Sequence, residues 1–190
     1  MKKLFFILFA FLISNPSLAG VAPLSLPWLA SVLQENAPAF GPGSLSQMES
    51  LYDCGEKEGE RFCSDPVKYY KVTVNGSIWL SEGAVVKVTL TTAYSAFSYS
   101  ELQLNLRKDG FALAEIHADN VYFNVAGELK SKSLTQVDRE AFILLNKGSA
   151  ARPKTLIWVP EEQLLAGNPS RYAELKSDGK SVELSFYRNH

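Results

Sequence analysis

The chain has 190 residues, 46% of them hydrophobic and 21% charged, with a formal net charge of −1. Such a length and apolar content suffice for one domain that buries roughly 70% of its unfolded surface, and they exclude a disordered tail. Nineteen basic residues against twenty acidic ones leave no cationic excess to neutralise phosphates, so no general nucleic-acid role is expected.

Lys2 and Lys3 precede ten apolar residues, Leu4 to Ile13, and Ser17-Leu18-Ala19 puts small residues where signal peptidase cuts. The pattern predicts a secretory signal peptide over residues 1–19 and a mature chain starting near Gly20. As a helix the apolar run would rise about 15 Å, half of what a bilayer core requires, so cleavage is expected and no transmembrane anchor should remain. No cysteine follows the cleavage site to carry a lipoprotein anchor. Removing the two lysines leaves seventeen basic and twenty acidic residues, a net charge of −3. The short double-lysine leader is of bacterial type, so the expected location is periplasmic or secreted.

Residues 20–45 form a proline-rich segment containing Pro23, Pro27, Pro38 and Pro42. Within it Trp28-Leu29-Ala30-Ser31-Val32-Leu33 has apolar residues at helical spacing and Pro27 at the first helical position, which predicts a short helix near residues 27–36, stopped by Ala37-Pro38. Its apolar stripe is expected to pack on the domain's own core. Residues 46–190 read as a single β-rich domain without internal repeats.

Cys54 and Cys63 in an exported chain predict one disulfide, which would restrict the unfolded chain by about 2.7 kcal/mol on the loop-entropy account. Eight intervening residues fit neither a zinc knuckle nor a redox Cys-x-x-Cys, so no metal and no cofactor are expected. The enclosed loop Gly55 to Phe62 carries Glu58 and Arg61 as candidate partner contacts. The preceding Tyr52-Asp53-Cys54 also occurs at the head of periplasmic lysozyme inhibitors, but the glycine- and serine-rich inhibitory motif of that family is missing and the chain is not assigned to it.

From Val67 the pattern becomes alternating. Val72 and Val74, the dipeptide Asn75-Gly76, then Ile78 and Leu80 predict a hairpin. Ser81-Glu82-Gly83 and Lys108-Asp109-Gly110 each predict a three-residue connection in which a type I turn leads into a left-handed glycine. Folding back at the second of these sets Leu106, Leu104 and Leu102 opposite Ala112, Ala114 and Ile116. A further tight turn at Asp119-Asn120 sets Val121, Phe123 and Val125 opposite Ala118, Ile116 and Ala114, so one face is apolar across three strands. Ser133-Leu134-Thr135-Gln136 has capping-box spacing, and Val137, Ala141, Phe142, Leu144 and Leu145 follow at helical intervals before Gly148, predicting the main helix near residues 134–147. A strand at Thr155 to Val159 and a final hairpin at Asp178-Gly179, pairing Leu175 with Val182 and Ala173 with Leu184, complete the chain. The fold class is α+β, an antiparallel meander of about eight to ten strands with that main helix and the short N-terminal one.

Chemistry-bearing residues are few. His190 ends the chain, which leaves His117 as the histidine available to a structured site. In the meander register His117 lies opposite Glu101 and shares a face with Glu115 and Asp119, so an envelope hydrolase would use His117 with Glu101 or Glu115. Asn75-Gly76-Ser77 has the glycosylation spacing, but a bacterial leader predicts no glycan. The segment Tyr94-Ser95-Ala96-Phe97-Ser98-Tyr99 mixes rigid aromatics with small polar residues and reads as a recognition loop, with Tyr94, Phe97 and Tyr99 as its contacts. Trp79 and Trp158 fall in strands as core or sheet-face residues. The composite expectation is an exported, non-enzymatic protein that binds an envelope protein, inhibitor- or immunity-like, with hydrolysis or carriage of an apolar ligand between sheet and helices as alternatives.

Overall fold

The structure, a computed structural model, describes residues 26–35, 40–147 and 152–189. The expected signal peptide, the stop at Ala37-Pro38, Gly148 and His190 lie outside the described residues. Ten strands are described: β1 Leu51–Asp53, β2 Arg61–Ser64, β3 Val67–Tyr69, β4 Val72–Ser81, β5 Ala84–Ala93, β6 Phe111–Ala118, β7 Val121–Asn124, β8 Lys154–Pro160, β9 Arg171–Ser177 and β10 Ser181–Arg188. Five helices accompany them: α1 Pro27–Leu33, α2 Pro42–Leu45, α3 Ala96–Lys108, α4 Val125–Glu128 and α5 Leu134–Asn146. The strands form one antiparallel sheet in the order β1-β2-β4-β5-β10-β9-β8-β6-β7, with β3 on β4, so the α+β class expected from half-buried alternation is the one observed. No described helix is long and apolar enough to cross a membrane.

Alternation puts one residue set on the inner face of this sheet, except that in β6 a bulge between Leu113 and Glu115 brings Phe111 and Leu113, in place of the expected Ala112 and Ala114, onto that face with Ile116. Leu90, Leu184, Leu175, Leu156, Ile116 and Phe123 are successive cross-strand partners from β5 to β7. Phe62, Ile78, Val88, Phe186, Ala173 and Trp158 form a parallel row from β2 to β8. All twelve are buried, and full burial of a side chain of this size stabilises the fold by about 1.5–3 kcal/mol. Helix α1 lies on β5 and β10 and buries Trp28, Leu29, Val32 and Leu33, so its stripe joins the core of the domain, as its spacing predicted. Arg188 ties it down by donating to the Ser31 carbonyl at 2.7 Å.

Asn75-Gly76 is not a turn. It lies inside β4, where Gly76 faces Leu90. A Cβ on Gly76 would stand 2.8 Å from both the Ser64 hydroxyl and the Trp28 ring, so the missing side chain is the notch that admits Trp28 from α1, a packing demand that local turn propensity cannot reveal. The real bend comes six residues later. Ser81 pairs with Ala84, and Glu82 and Gly83 have φ of 52° and 78°, the two positive values a two-residue hairpin turn requires, in place of the three-residue connection expected.

The expected strand over residues 101–107 is the C-terminal half of α3. Leu102 and Leu106 are buried while Leu104 is exposed, a 3.6-residue pattern that Tyr99 and Asn105 complete. Alternation at 102, 104 and 106 coincides with helical spacing at its two ends, so the turn signal at Lys108-Asp109-Gly110 tipped the reading toward a strand. The helix carries its own punctuation. The Ser95 side chain accepts from the Ser98 N–H at 2.9 Å, Arg107 and Lys108 stand in the last turn, and Gly110 follows with φ 82°. Asp109 then accepts from the hydroxyls of Tyr69 and Tyr70, clasping the end of α3 onto the β3–β4 turn. Burial pushes the Asp109 carboxyl up and the two hydroxyls pull it back.

Two smaller differences concern register. The Asp119-Asn120 bend pairs Ala118 with Val121 and Ile116 with Phe123 as expected, but pairing ends at Glu115 and Asn124. Asn124 turns to cap α4, accepting from the Gly127 N–H at 2.6 Å, so Val125 never faces Ala114. In the last hairpin Leu175 pairs with Leu184 and Ala173 with Phe186, a two-residue slip that leaves every side chain on its expected face. The capping box at Ser133 forms in both directions. Gly76→Ala should lower unfolding free energy by about 1–3 kcal/mol, because the added methyl must displace Trp28 or Ser64; urea titration checks this, and an unchanged midpoint would show that the notch is not tight.

Candidate functional site

His117 lies on the outer, wet face of β6 and keeps one of its three expected carboxylates. Its Nε2 is 2.9 Å from Glu115 Oε2, the other Glu115 oxygen accepts from Tyr122 at 3.1 Å, and the Tyr122 ring stands 4.9 Å from the imidazole. Glu101 belongs to α3 and is not opposite His117, because the strand that would have placed it there is a helix. Asp119 is engaged by Arg152 at 2.7 Å. The His117 side chain is 46% exposed, and no group of three potential ligands able to hold a metal occurs among the described residues. This exposed sheet-edge cluster offers an imidazole and one carboxylate.

The two proposed contact loops separate in the same way. Cys54 and Cys63 are bridged across β1 and β2, with Cα atoms 5.8 Å apart. Asp53 closes the loop, its carboxylate accepting from the Gly55 and Gly59 N–H groups at 3.0 and 2.7 Å, which hold the carboxyl below its ordinary pKa. Glu58 is exposed on that loop. Arg61 instead lies over the Trp79 ring, 4.4 Å from its centroid, and donates to Ser77 at 3.3 Å. The aromatic segment is no loop, since Ser95 caps α3 and residues 96–99 form its first turn. Phe97 is exposed, while Tyr99 is buried with its ring 6.2 Å from that of Tyr94.

What the helical state of residues 96–108 creates is a cleft. A cavity of about 650 Å³ lies between α5, β6 and the end of α3, walled by Phe111, Leu113, Val137, Ala141, Phe142 and Leu164. A second, of about 400 Å³, lies between α3, α5 and the start of β8, lined by Tyr94, Tyr99, Gln103, Leu145 and Lys154 among others. Arg107, Phe142 and Leu145 border both. The apolar arc of α5 is wider than its own packing needs: Val137 and Ala141 are buried, whereas Leu134 and Phe142 are 61% and 66% exposed. Polar ties hold the helix at its middle and at its C-terminal end. Lys132 bridges Glu128 and Glu140 at 2.6 Å each, and Arg152 and Lys154 donate to the Leu144 and Leu145 carbonyls at 2.7 and 3.2 Å.

Lys154 is the residue here that sequence reasoning missed. It is 6% exposed, pairs with the small Ala118 and Ser177 on the inner face, and lies 5.4 Å from the Tyr99 ring centroid. Burial pulls its ammonium below the ordinary lysine range, Arg152 adds repulsion, and Asp119 partly opposes both. Tyr99 is pushed up to about 12 by burial, with Tyr94 adding and Arg152 opposing, and its hydroxyl is buried without a hydrogen-bond partner. The signal was legible, because Lys154 shares the phase of Leu156 and Trp158 and alternation alone sends it inward. No family model, no curated protein and no solved structure matches this chain. If the His117 cluster is only surface chemistry, His117→Ala should change unfolding free energy by no more than about 0.5 kcal/mol; loss of a hydrolytic activity in that variant would reverse the assignment.

Proposed function

We propose that the chain is an exported, non-enzymatic binding protein of the bacterial envelope, and that its ligand enters the cleft between α3, α5 and the sheet. The observation that carries this reading is the pair of adjoining cavities, about 650 and 400 Å³, under a helix whose apolar arc is only partly buried. Each falls in the range of roughly 300–1,000 Å³ typical of small-molecule sites; the larger has mostly apolar walls, and the smaller mixes Phe142 and Leu145 with Ser100, Gln103, Asn146 and Lys154. Carriage of an apolar ligand is the form this geometry supports best. The disulfide fits an oxidising compartment. Hydrolysis at His117 loses support, since Glu101 stands on α3 instead of opposite His117 and Asp119 is engaged by Arg152.

A protein partner of the inhibitor- or immunity-like kind is the second reading. It is favoured by Phe97 on α3 and Phe142 and Ile143 on α5, which stand 58%, 66% and 53% exposed and would serve as apolar anchors in an interface. Native mass spectrometry of the mature protein purified from envelope separates the two. The carrier reading predicts a bound compound that organic solvent releases, and loss of that compound in Ala141→Trp, which fills the larger cavity, with the circular dichroism spectrum retained. Stoichiometric capture of one envelope protein, lost on Phe97→Ser or Phe142→Ser and with no extractable compound, would overturn carriage in favour of the partner reading.

A further inference from the structure

The carrier reading can be taken to a ligand class. Lys154 is a nearly fully buried ammonium facing the smaller cavity. One of its three donors is used, at 3.2 Å to the Leu145 carbonyl. No ion pair of Lys154 or Arg107 occurs among the described residues. The neighbouring Arg152 differs in having Asp119 at 2.7 Å. A buried ammonium whose nearest carboxylate, Asp119, is paired to another cation is costly, and a cavity beside it is where an anion would offset that cost. Independently, Tyr99, which lines the same cavity, has a buried hydroxyl donor with no acceptor, which an anionic oxygen would satisfy.

We propose that the smaller cavity is a carboxylate site and that the ligand of the cleft is a long-chain fatty acid, its head at Lys154 and Tyr99 and its alkyl chain passing Arg107 into the larger cavity. The proposal rests on the carrier reading of the cleft. Charge sets the orientation. The larger cavity is bordered by Asp138 and Glu161 as well as by Arg107 and Arg139, whereas the charged groups lining the smaller one are Arg107 and Lys154, so an anion is favoured in the smaller. One buried ammonium and one phenol match a singly charged head with two oxygens. The walls that continue beyond it, Phe111, Leu113, Val137, Ala141 and Leu164, suit an unbranched chain with no polar group of its own. The depressed lysine described above agrees with this, since a bound carboxylate would restore its charge.

The test titrates the full mature protein, stripped of extractable lipid, with hexadecanoate and with hexadecanol, an equal chain lacking the carboxylate. Wild type should bind hexadecanoate with one-to-one stoichiometry and about tenfold or more tighter than hexadecanol. Lys154→Met should abolish that preference by weakening the acid, Lys154→Arg should keep it, and Ala141→Trp should weaken both ligands. Tyr99→Phe, which removes only the hydroxyl, should cost the acid several-fold and serves as the decisive variant if Lys154→Met does not fold. Equal affinity for acid and alcohol in wild type, or a preference that survives Lys154→Met or, failing that variant, an acid affinity unchanged in Tyr99→Phe, overturns the carboxylate site while leaving the cleft a carrier of neutral ligands. Binding of neither compound overturns the fatty-acid proposal and the carrier reading together.

Discussion

The inner face of the sheet is longer than its helices can cover, and the rest of the molecule follows from that mismatch. Cross-strand partners from Phe62 to Trp158 and from Leu90 to Phe123 form a continuous apolar surface that must be removed from water. Helix α1 covers the β5–β10 part so closely that β4 gives up a side chain at Gly76 to receive Trp28. Helix α3 packs on β4, β6 and β10 and anchors its end through Asp109 to the hydroxyls of Tyr69 and Tyr70. Toward β6 and β8, helix α5 is tied at Glu140 by Lys132 and at its C-terminal end by Arg152 and Lys154. It meets the core through Val137 and Ala141, with a cavity beside them in place of a continuous packed interface. Tight packing on one side and a cleft on the other are two outcomes of the same area balance.

The same elements explain how much of this was readable beforehand. Alternation placed the inner face correctly in β4 and in β7 to β10, even where the last hairpin slipped by two residues, because a slip of two conserves facing; in β6 a bulge after Leu113 shifted the phase and turned Phe111 inward. The capping box at Ser133 and the proline at the start of α1 marked helix starts through local hydrogen bonding, which a sequence carries openly. The failures came where local and tertiary demands conflict. Leu102, Leu104 and Leu106 satisfy both periods, and the choice between them was made by packing against β6. Asn75-Gly76 looks like a turn because its neighbours in sequence permit one; the ring that occupies the notch arrives from a residue nearly fifty positions away.

The site followed suit. His117 attracted notice as an uncommon residue type, and its neighbours depended on a strand that is a helix, so the cluster shrank to His117, Glu115 and Tyr122. Lys154 attracted none, because a lysine at a strand start is ordinary until the strand's phase and the small Ala118 and Ser177 beside it are considered together. Tyr99 was singled out for exposure and matters through burial. In both cases the informative quantity was the mismatch between a polar group and its surroundings, which needs the tertiary neighbours to be known.

Native-state amide hydrogen exchange measures the central claim most directly, since it reports residue by residue how firmly each element is held. A helix that rests on two buried side chains beside a cavity should open locally. The account therefore predicts that amides of Val137 to Leu145 in α5 exchange much faster than those of β8, β9 and β10 in the ligand-free protein. Protection of α5 equal to that of Leu175 and Leu184 would mean that the helix is packed as tightly as the central strands, and it would contradict a cleft there.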